Sequence, residues 1–195
     1  GGSMHLIDKK VGFMGTSAIV GNSIPIGVGL ALSSKINNTN ELSCIFFGDG
    51  AVEEGVFYES VNFAVLHKLP VLFICENNLY SVYSPLSVRQ PKGRIISDMV
   101  SGFGLETRHM DGNNILDKYE TIENLISSIR SGNGPIFLEF ETYRWLEHCG
   151  NNNDDNLGYR SREEIDFWIN KDPIKIAEEK LKFFNNDSVN EIKQY

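Results

Sequence analysis

The sequence has few cysteines, and those present follow no metal-binding or redox spacing. Its three cysteines, Cys44, Cys75 and Cys149, form no CxxC or CxxH pair. Cys44 and Cys75 lie inside apolar runs, where a free cysteine behaves as a small hydrophobic residue. We therefore expect a reducing compartment of the cytoplasmic type.

The sequence also lacks long apolar runs and an excess of positive charge. No run approaches the roughly 18 apolar residues of a membrane span, and no basic segment precedes a signal-like apolar stretch. The net charge is −8 and the isoelectric point is near 5.0. An acidic chain has no general affinity for nucleic acid or anionic lipid. We expect neither nucleic acid nor a membrane as a partner.

Short apolar strands alternate with amphipathic helices along the 195 residues. We predict helices over 19–35, 53–67 and 115–129, and strands over 43–47, 69–75, 105–110 and 135–144. Strands that are apolar on both faces and alternate with helices indicate an α/β fold, with a parallel sheet covered by helices on both faces. A polar loop over 145–161 and a helical segment containing Trp168 follow. We assign residues 1–175 to one domain and 176–195 to a helical C-terminal tail.

Polar residues follow two of the predicted strands. Asp49 lies between Gly48 and Gly50 after one strand, and Asn77 and Asn78 follow the next. Ligands of open parallel sheets bind beyond the carboxyl ends of the strands, and a right-handed crossover places these two ends side by side. We therefore expect Asp49 and Asn78 to face one small volume, whereas Asn77 is interpreted as a turn residue only.

The ligand chemistry of this turn favours a metal-bound phosphate. Gly48 and Gly50 allow close backbone approach to an anion, but a bare phosphate would be repelled by Asp49. Glu53 stands where a dinucleotide fingerprint needs its third glycine, so a nicotinamide-binding dehydrogenase is disfavoured. Mg²⁺ between the carboxylate and a diphosphate removes the conflict, since Mg²⁺ binds protein oxygens together with phosphates.

Four segments in order carry a family resemblance. GDGAVEEGVFYESVNFAVLHKLPVLFICENN resembles the thiamine diphosphate motif, in which GDG is followed downstream by NN. With GGSMHLIDKKVGFMGTSAIVG, GPIFLEFETYRW and YRSREEIDFW, the chain resembles the alpha subunit of the thiamine diphosphate-dependent decarboxylating component of 2-oxo acid dehydrogenases, of the pyruvate or acetoin dehydrogenase type. The resemblance implies a thiamine diphosphate-binding fold with thiamine diphosphate and Mg²⁺ as cofactors.

The resemblance also implies roles for individual residues. Asp49, Asn78 and the backbone carbonyl of Tyr80 match the Mg²⁺ ligands, and His148 matches the catalytic histidine of the active-site loop. The full set of expected cofactor-binding residues is Ser17, Ile19, Val20, Gly48, Asp49, Gly50, Ala51, Asn78, Tyr80, Arg144 and His148. Of these, Ser17, Ile19 and Val20 match the segment that contacts the aminopyrimidine, and Gly50 and Ala51 match the diphosphate-binding turn.

The activity implied is oxidative decarboxylation of a 2-oxo acid, or an acetoin-type cleavage, by a subunit that needs a beta partner. The family pattern suggests an alpha–beta heterotetramer, with a lipoyl acyltransferase as a further candidate partner. In the family an N-terminal portion precedes the segment that GGSMH resembles, so we expect this chain to be without that portion. Leu146, Glu147 and Cys149 replace the usual loop residues around His148. The alternative is therefore a non-catalytic assembly subunit, or a truncated fragment that keeps the fold.

Simpler interpretations are preferred for several other residues. Glu53 and Glu54 are interpreted as favourable charges in the first turn of a helix. The Asn/Asp run over 151–155 is interpreted as a mobile loop and not as a Ca²⁺ site, because its ligand spacing is irregular.

Overall fold

The central sheet of the computed structural model, which describes residues 4–182, has four parallel strands. Numbering strands in chain order, they are β1 (Ser43–Gly48), β2 (Val71–Asn77), β5 (Glu106–Asp111) and β6 (Ile136–Glu141). Their order across the sheet is β1-β2-β6-β5, with every neighbouring pair parallel. A separate antiparallel hairpin pairs β3 (Tyr80–Ser81) with β4 (Ser84–Pro85). The predicted α/β fold with a parallel sheet is confirmed.

Seven helices accompany the strands in the part of the chain that the structure describes. They are α1 (Ser23–Ile36), α2 (Gly55–Leu66), α3 (Leu86–Arg89), α4 (Ile96–Ser101), α5 (Tyr119–Ser128), α6 (Arg162–Ile169) and α7 (Pro173–Lys182). Tighter 3₁₀ turns cover Lys9–Val11, Asp49–Glu53, Ile115–Lys118 and Asp155–Leu157, and a wider π turn covers Ile129–Asn133.

The central strand β2 is buried on both faces because helices pack on each side of the sheet. Val71, Phe73 and Cys75 contribute to one core cluster, which also contains buried residues of α1, α2 and α4. Leu72 and Ile74 alternate with them and pack with α5 in a second cluster. This alternation explains why the strand sequence is apolar at every position from 71 to 75.

Three predicted helices begin later than expected. The helix predicted from residue 19 begins at Ser23, because Gly21 takes a left-handed φ of 76° in the turn before it. The helix predicted from 53 begins at Gly55, since Asp49–Glu53 forms a 3₁₀ turn. The helix predicted from 115 begins at Tyr119 after a similar turn.

The strand predictions need two corrections at the carboxyl edge of the sheet. Strand β2 continues to Asn77, so this residue is the last of the strand and not part of the turn beyond it. Strand β6 ends at Glu141, three residues before the predicted end, and the chain then leaves the sheet as a loop. Both corrections concern the edge where the candidate site lies.

The helical segment with Trp168 packs on the domain. The indole of Trp168 stacks on the ring of Tyr143 with centroids 5.3 Å apart and an angle of 7° between planes. Helix α7 crosses the predicted domain boundary at 175/176, and residues 183–195 of the predicted tail lie outside the described residues. No helix within residues 4–182 is long and apolar enough to cross a membrane.

Candidate functional site

The carboxyl ends of three neighbouring strands meet at one edge of the sheet. The last residue of β1, Gly48, is in register with Glu76 of β2, and Asn77 of β2 is in register with Glu141 of β6. The residues that follow these strands therefore share the edge where ligands of parallel sheets bind. The predicted juxtaposition of the turns after β1 and β2 follows directly from this register.

The turn after β1 packs tightly against the β3–β4 hairpin. The side chain of Asp49 is only 1% exposed. A Cβ atom on Gly50 would lie 2.8 Å from Ser81 Oγ and 3.1 Å from Ser81 Cβ. The absence of a side chain at Gly50 therefore lets the turn approach the side chain of Ser81 in β3.

Arg89, at the end of α3, binds this turn through two carboxylates. Its Nη2 donates to Asp49 Oδ2, and its Nη1 donates to Glu53 Oε1 over 2.6 Å. Its Nε donates to the carbonyl of Ser84 over 3.1 Å, and Gln90 Nε2 also donates to Glu53 over 3.0 Å. The prediction that Glu53 and Glu54 lie in the first turn of the helix was wrong, because Glu53 ends the preceding 3₁₀ turn and Glu54 lies just before α2. Glu53 binds Arg89 instead.

The two asparagines at the end of β2 make different contacts. Asn77 Oδ1 accepts from the backbone N–H of Leu79 over 3.1 Å, as a turn residue would. Its Nδ2 also donates to Glu139 Oε1 over 2.8 Å, so the prediction of a turn function alone was incomplete. Asn78 Oδ1 accepts from the N–H of Tyr80 over 3.0 Å, which bends the chain toward the β3–β4 hairpin.

Glu139 is a carboxylate in the middle of the buried strand β6. It is 1% exposed, and its Oε2 accepts from the backbone N–H of Ser97 at the start of α4 over 2.8 Å. Glu139 thus joins three elements: β6, the end of β2 and α4. Glu139 was not predicted as a functional residue from the sequence. A carboxylate inside the apolar run IFLEF is the pattern that could have indicated it.

Tyr80 is held by hydrogen bonds from its backbone N–H and from its side-chain hydroxyl. Its hydroxyl donates to Glu164 of α6, with distances of 2.8 and 2.9 Å to the two carboxylate oxygens. Burial, together with this hydrogen bond and the charge of Glu164, raises the pKa of Tyr80.

Leu79 and Val82, which flank β3, have φ values of 71° and 56°. Left-handed backbone is unfavourable for non-glycine residues, so the surrounding contacts must stabilise this turn.

The segment predicted to contact the aminopyrimidine lies against the start of α2. Ser17 Oγ accepts from the backbone N–H of Ile19 over 3.1 Å, and the side chains of Ile19 and Val20 are 66% and 61% exposed. A Cβ atom on Gly21 would lie 3.2 Å from Glu54 Cγ. The close approach at Gly21 places this apolar segment beside the start of α2.

The loop after β6 carries Arg144 and His148. Arg144 Nη2 donates to the carbonyl of Val82 over 2.8 Å and to the hydroxyl of Tyr159 over 3.1 Å, and its Nη1 donates to the carbonyl of Leu146. Its guanidinium therefore fixes the loop against the β3–β4 hairpin. His148 is exposed. A cofactor contact by either residue stays a prediction.

The Asn/Asp run in this loop is held by an arginine. Asp154 is 3% exposed and accepts from Arg160 Nη2 and, over 2.7 Å, from the hydroxyl of Tyr159. Asp155 accepts from the same Nη2 over 3.1 Å. Burial alone would raise the pKa of Asp154, but the Tyr159 hydrogen bond and the charges of Arg160 and Arg144 outweigh it and lower the pKa. The run is thus an ion-paired part of the loop.

The chain also matches a known protein family. A family model described as the dehydrogenase E1 component matches residues 1–195. The chain belongs to this family. The resemblance stated from the four sequence segments is therefore confirmed.

Relatives of the E1 family include alpha subunits from bacteria and animals. The pyruvate dehydrogenase E1 component subunit alpha of Zymomonas mobilis is 38% identical over 175 residues, which are 89% of this chain and 48% of that protein. The corresponding subunit of Rickettsia felis is 36% identical over 100% of this chain and 59% of that protein. The somatic mitochondrial form of Homo sapiens is 36% identical over 100% of this chain and 48% of its own length. The chain thus spans about half the length of the curated relatives it matches.

A search of solved structures found a putative thiamin diphosphate-dependent enzyme from Mycobacterium smegmatis. The TM-score is 0.49 and the sequences are 23% identical. The match covers 68% of this chain and 24% of that one.

The donors at this edge of the E1-family chain fit a magnesium ion. Within residues 4–182, no group of three His, Cys, Asp or Glu side chains is arranged to hold a metal. The candidate ligands are instead one carboxylate, one amide oxygen and one backbone carbonyl, from Asp49, Asn78 and Tyr80. Mg²⁺ commonly binds through one or two protein groups and completes its shell with phosphate and water. Asp49 Oδ1 makes no hydrogen bond within the described residues and remains available as a ligand.

Proposed function

We propose that the chain forms the diphosphate- and Mg²⁺-binding part of a thiamine diphosphate-dependent E1 alpha-type subunit. The observation that carries the proposal is the close packing of the Asp49–Gly50 turn on the Tyr80–Ser81 strand at the carboxyl edge of the sheet. Asp49, Asn78 and the carbonyl of Tyr80 would ligate Mg²⁺, while backbone amides of Gly50 and Ala51 would hold the diphosphate.

The proposed reaction is the oxidative decarboxylation of a 2-oxo acid, with pyruvate as the substrate named for the relatives. Thiamine diphosphate supplies the electron sink for this chemistry when it is bound. The chain itself would contribute the turn that orients the cofactor, together with the exposed apolar side chains of Ile19 and Val20 near the start of α2. His148 would exchange a proton with the substrate, because an imidazole can both donate and accept a proton.

The same proposal includes a beta-type partner. The relatives are named as alpha subunits of an E1 component, which supports a second subunit that completes the active site. An alpha–beta heterotetramer, transfer to a lipoyl acyltransferase and a cytoplasmic-type compartment are further parts of the proposal. The acetoin-type reaction remains the alternative substrate class.

The test is an assay of the chain assembled with its beta-type partner. Release of CO₂ from 2-oxo acids and reduction of an artificial electron acceptor are measured with thiamine diphosphate and Mg²⁺. Asp49→Ala is expected to abolish activity because it removes the only carboxylate among the proposed ligands. Asp98→Ala, which changes an exposed carboxylate on α4, is the matched control and should retain activity. Full activity of Asp49→Ala would refute the proposed site.

A non-catalytic assembly subunit is the second candidate. It is favoured by the position of His148, which is exposed and makes no hydrogen bond to a described residue. The neighbouring carboxylate of Glu147 accepts instead from Asn152, whose Nδ2 lies 2.7 Å away. His148→Ala in the assembled complex separates the two candidates. A large loss of turnover with intact assembly supports catalysis, whereas unchanged turnover supports an assembly subunit.

A further inference from the structure

Arg89 contacts the proposed metal site through a carboxylate oxygen. Its Nη2 binds Asp49 Oδ2, while Asp49 Oδ1 makes no hydrogen bond within residues 4–182. The ion pair is buried, since the side chains of Arg89 and Asp49 are 10% and 1% exposed. A buried carboxylate with one oxygen occupied and the other available is arranged as a metal ligand with a supporting partner.

Arg89 is itself held in place by its neighbours. Its Nε donates to the carbonyl of Ser84 over 3.1 Å, and its Nη1 donates to Glu53 over 2.6 Å. The planar guanidinium thereby joins the β3–β4 hairpin to the turn after β1. A lysine has no such fork of fixed donors and could not bind these three acceptors in one geometry.

The same guanidinium lies beside the turn proposed to hold the diphosphate. Arg89 Nη1 is 3.9 Å from the position that a Cβ atom on Gly50 would occupy. A positive charge there favours a bound diphosphate, and it offsets the repulsion between Asp49 and that anion. Both the position and the charge of the Arg89 guanidinium are therefore suited to a bound diphosphate.

We propose that Arg89 is a positioning residue of the metal–diphosphate site, which holds Asp49 Oδ2 so that Oδ1 faces the cation. The inference rests on the proposed function, because it assigns a residue to the same site. Arg89 was not predicted from the sequence, because it lies 40 residues from Asp49 along the chain and in none of the family-like segments.

The test measures binding and not turnover. Mn²⁺ replaces Mg²⁺, and its binding with thiamine diphosphate to the assembled complex is followed by electron paramagnetic resonance. Arg89→Met keeps an unbranched stem but removes the charge and the donors of the guanidinium, and should weaken Mn²⁺ affinity by about 10- to 100-fold. Arg89→Lys keeps the charge without the fork and should give an intermediate affinity. Arg108→Met changes an arginine of β5 whose side chain is 52% exposed, and is the matched control expected to stay within about threefold of wild type.

A double-mutant cycle in the presence of EDTA tests the ion pair without any metal. Asp49→Asn, Arg89→Met and the double variant are compared by urea unfolding, and the two changes should be non-additive because the side chains are in contact. Additive effects would overturn the inference.

The outcomes also separate the inference from the proposed function. If wild type binds Mn²⁺ with thiamine diphosphate and Arg89→Met binds equally or more tightly, Arg89 does not support the ligand and only the inference fails. If the assembled wild-type complex binds neither, the proposed function fails and the inference fails with it.

Discussion

At the scale of single residues, buried charges hold the turns of the candidate site. Glu139 binds both the end of β2 and the start of α4, and Arg89 binds the turn that carries Asp49. A buried charge is costly unless it is paired or hydrogen-bonded. The contacts of these side chains therefore fix the backbone around the proposed ligands.

Glu139→Gln is expected to lower the free energy of unfolding by about 1–3 kcal/mol. Both carboxylate oxygens accept hydrogen bonds, one from Asn77 Nδ2 and the other from the Ser97 N–H. The NH₂ group of glutamine would face one of these two donors and could not accept its hydrogen bond. Urea unfolding measures the change. Glu141→Gln alters an exposed carboxylate of the same strand and should stay within about 0.5 kcal/mol of wild type. Equal effects of the two changes would contradict this account.

Asp154 should make the free energy of unfolding depend on pH in the acidic range. Its pKa is lowered in the folded chain, whereas the pKa of an aspartate in an unfolded chain is about 3.9. Between the two pKa values the unfolded chain binds a proton that the folded chain does not, so falling pH favours unfolding. The contribution is present above about pH 4 and is lost as pH falls through the folded-state pKa.

Asp154→Asn tests this dependence. The variant should be less stable than wild type near neutral pH, and the difference should shrink in acid. Urea unfolding over about pH 3–6, followed by tryptophan fluorescence, gives both curves. Asp98→Asn serves as the exposed control. A constant difference between Asp154→Asn and wild type across this range would show that the Asp154 carboxylate does not titrate abnormally.

At the scale of secondary-structure elements, the strands could be predicted more fully than the short helices. All four predicted strands are present, because apolar runs bounded by glycine or polar residues are a local signal. Helix α4 was missed, since its six residues are too few to show a helical period. The contacts of Arg89 and Glu164 with the site also could not be predicted, because they depend on tertiary packing between distant segments. Asp49 and Asn78 could be picked out as candidates because each directly follows a strand.

The two faces of β1 differ in burial, which gives a test on adjacent phenylalanines. Phe47 is 7% exposed in the core beneath the helices, whereas Phe46 points to the opposite face and is 59% exposed. Phe47→Ala should lower the free energy of unfolding of the chain by about 3–5 kcal/mol, and Phe46→Ala by less than about 1 kcal/mol. Urea unfolding compares them directly. Similar losses for both would mean that the outer face of β1 is covered in solution.

At the scale of the whole molecule, the chain contains the proposed polar ligands and leaves apolar side chains exposed. Ile19 and Val20 near the start of α2 and Phe46 on the outer face of β1 are each more than half exposed. Large exposed apolar surfaces are typical of sites for other protein surfaces or ligands. They are compatible with the proposal that a beta-type partner completes the cofactor site.

Calorimetric titration of thiamine diphosphate into the assembled complex tests the central claim most directly. It is performed with Mg²⁺, with EDTA, and with the Asp49→Ala and Asn78→Ala variants in place of wild type. The account predicts binding that requires Mg²⁺ and is lost in Asp49→Ala, with weakened binding in Asn78→Ala. Binding of equal affinity without Mg²⁺, or in Asp49→Ala, would contradict the site described here.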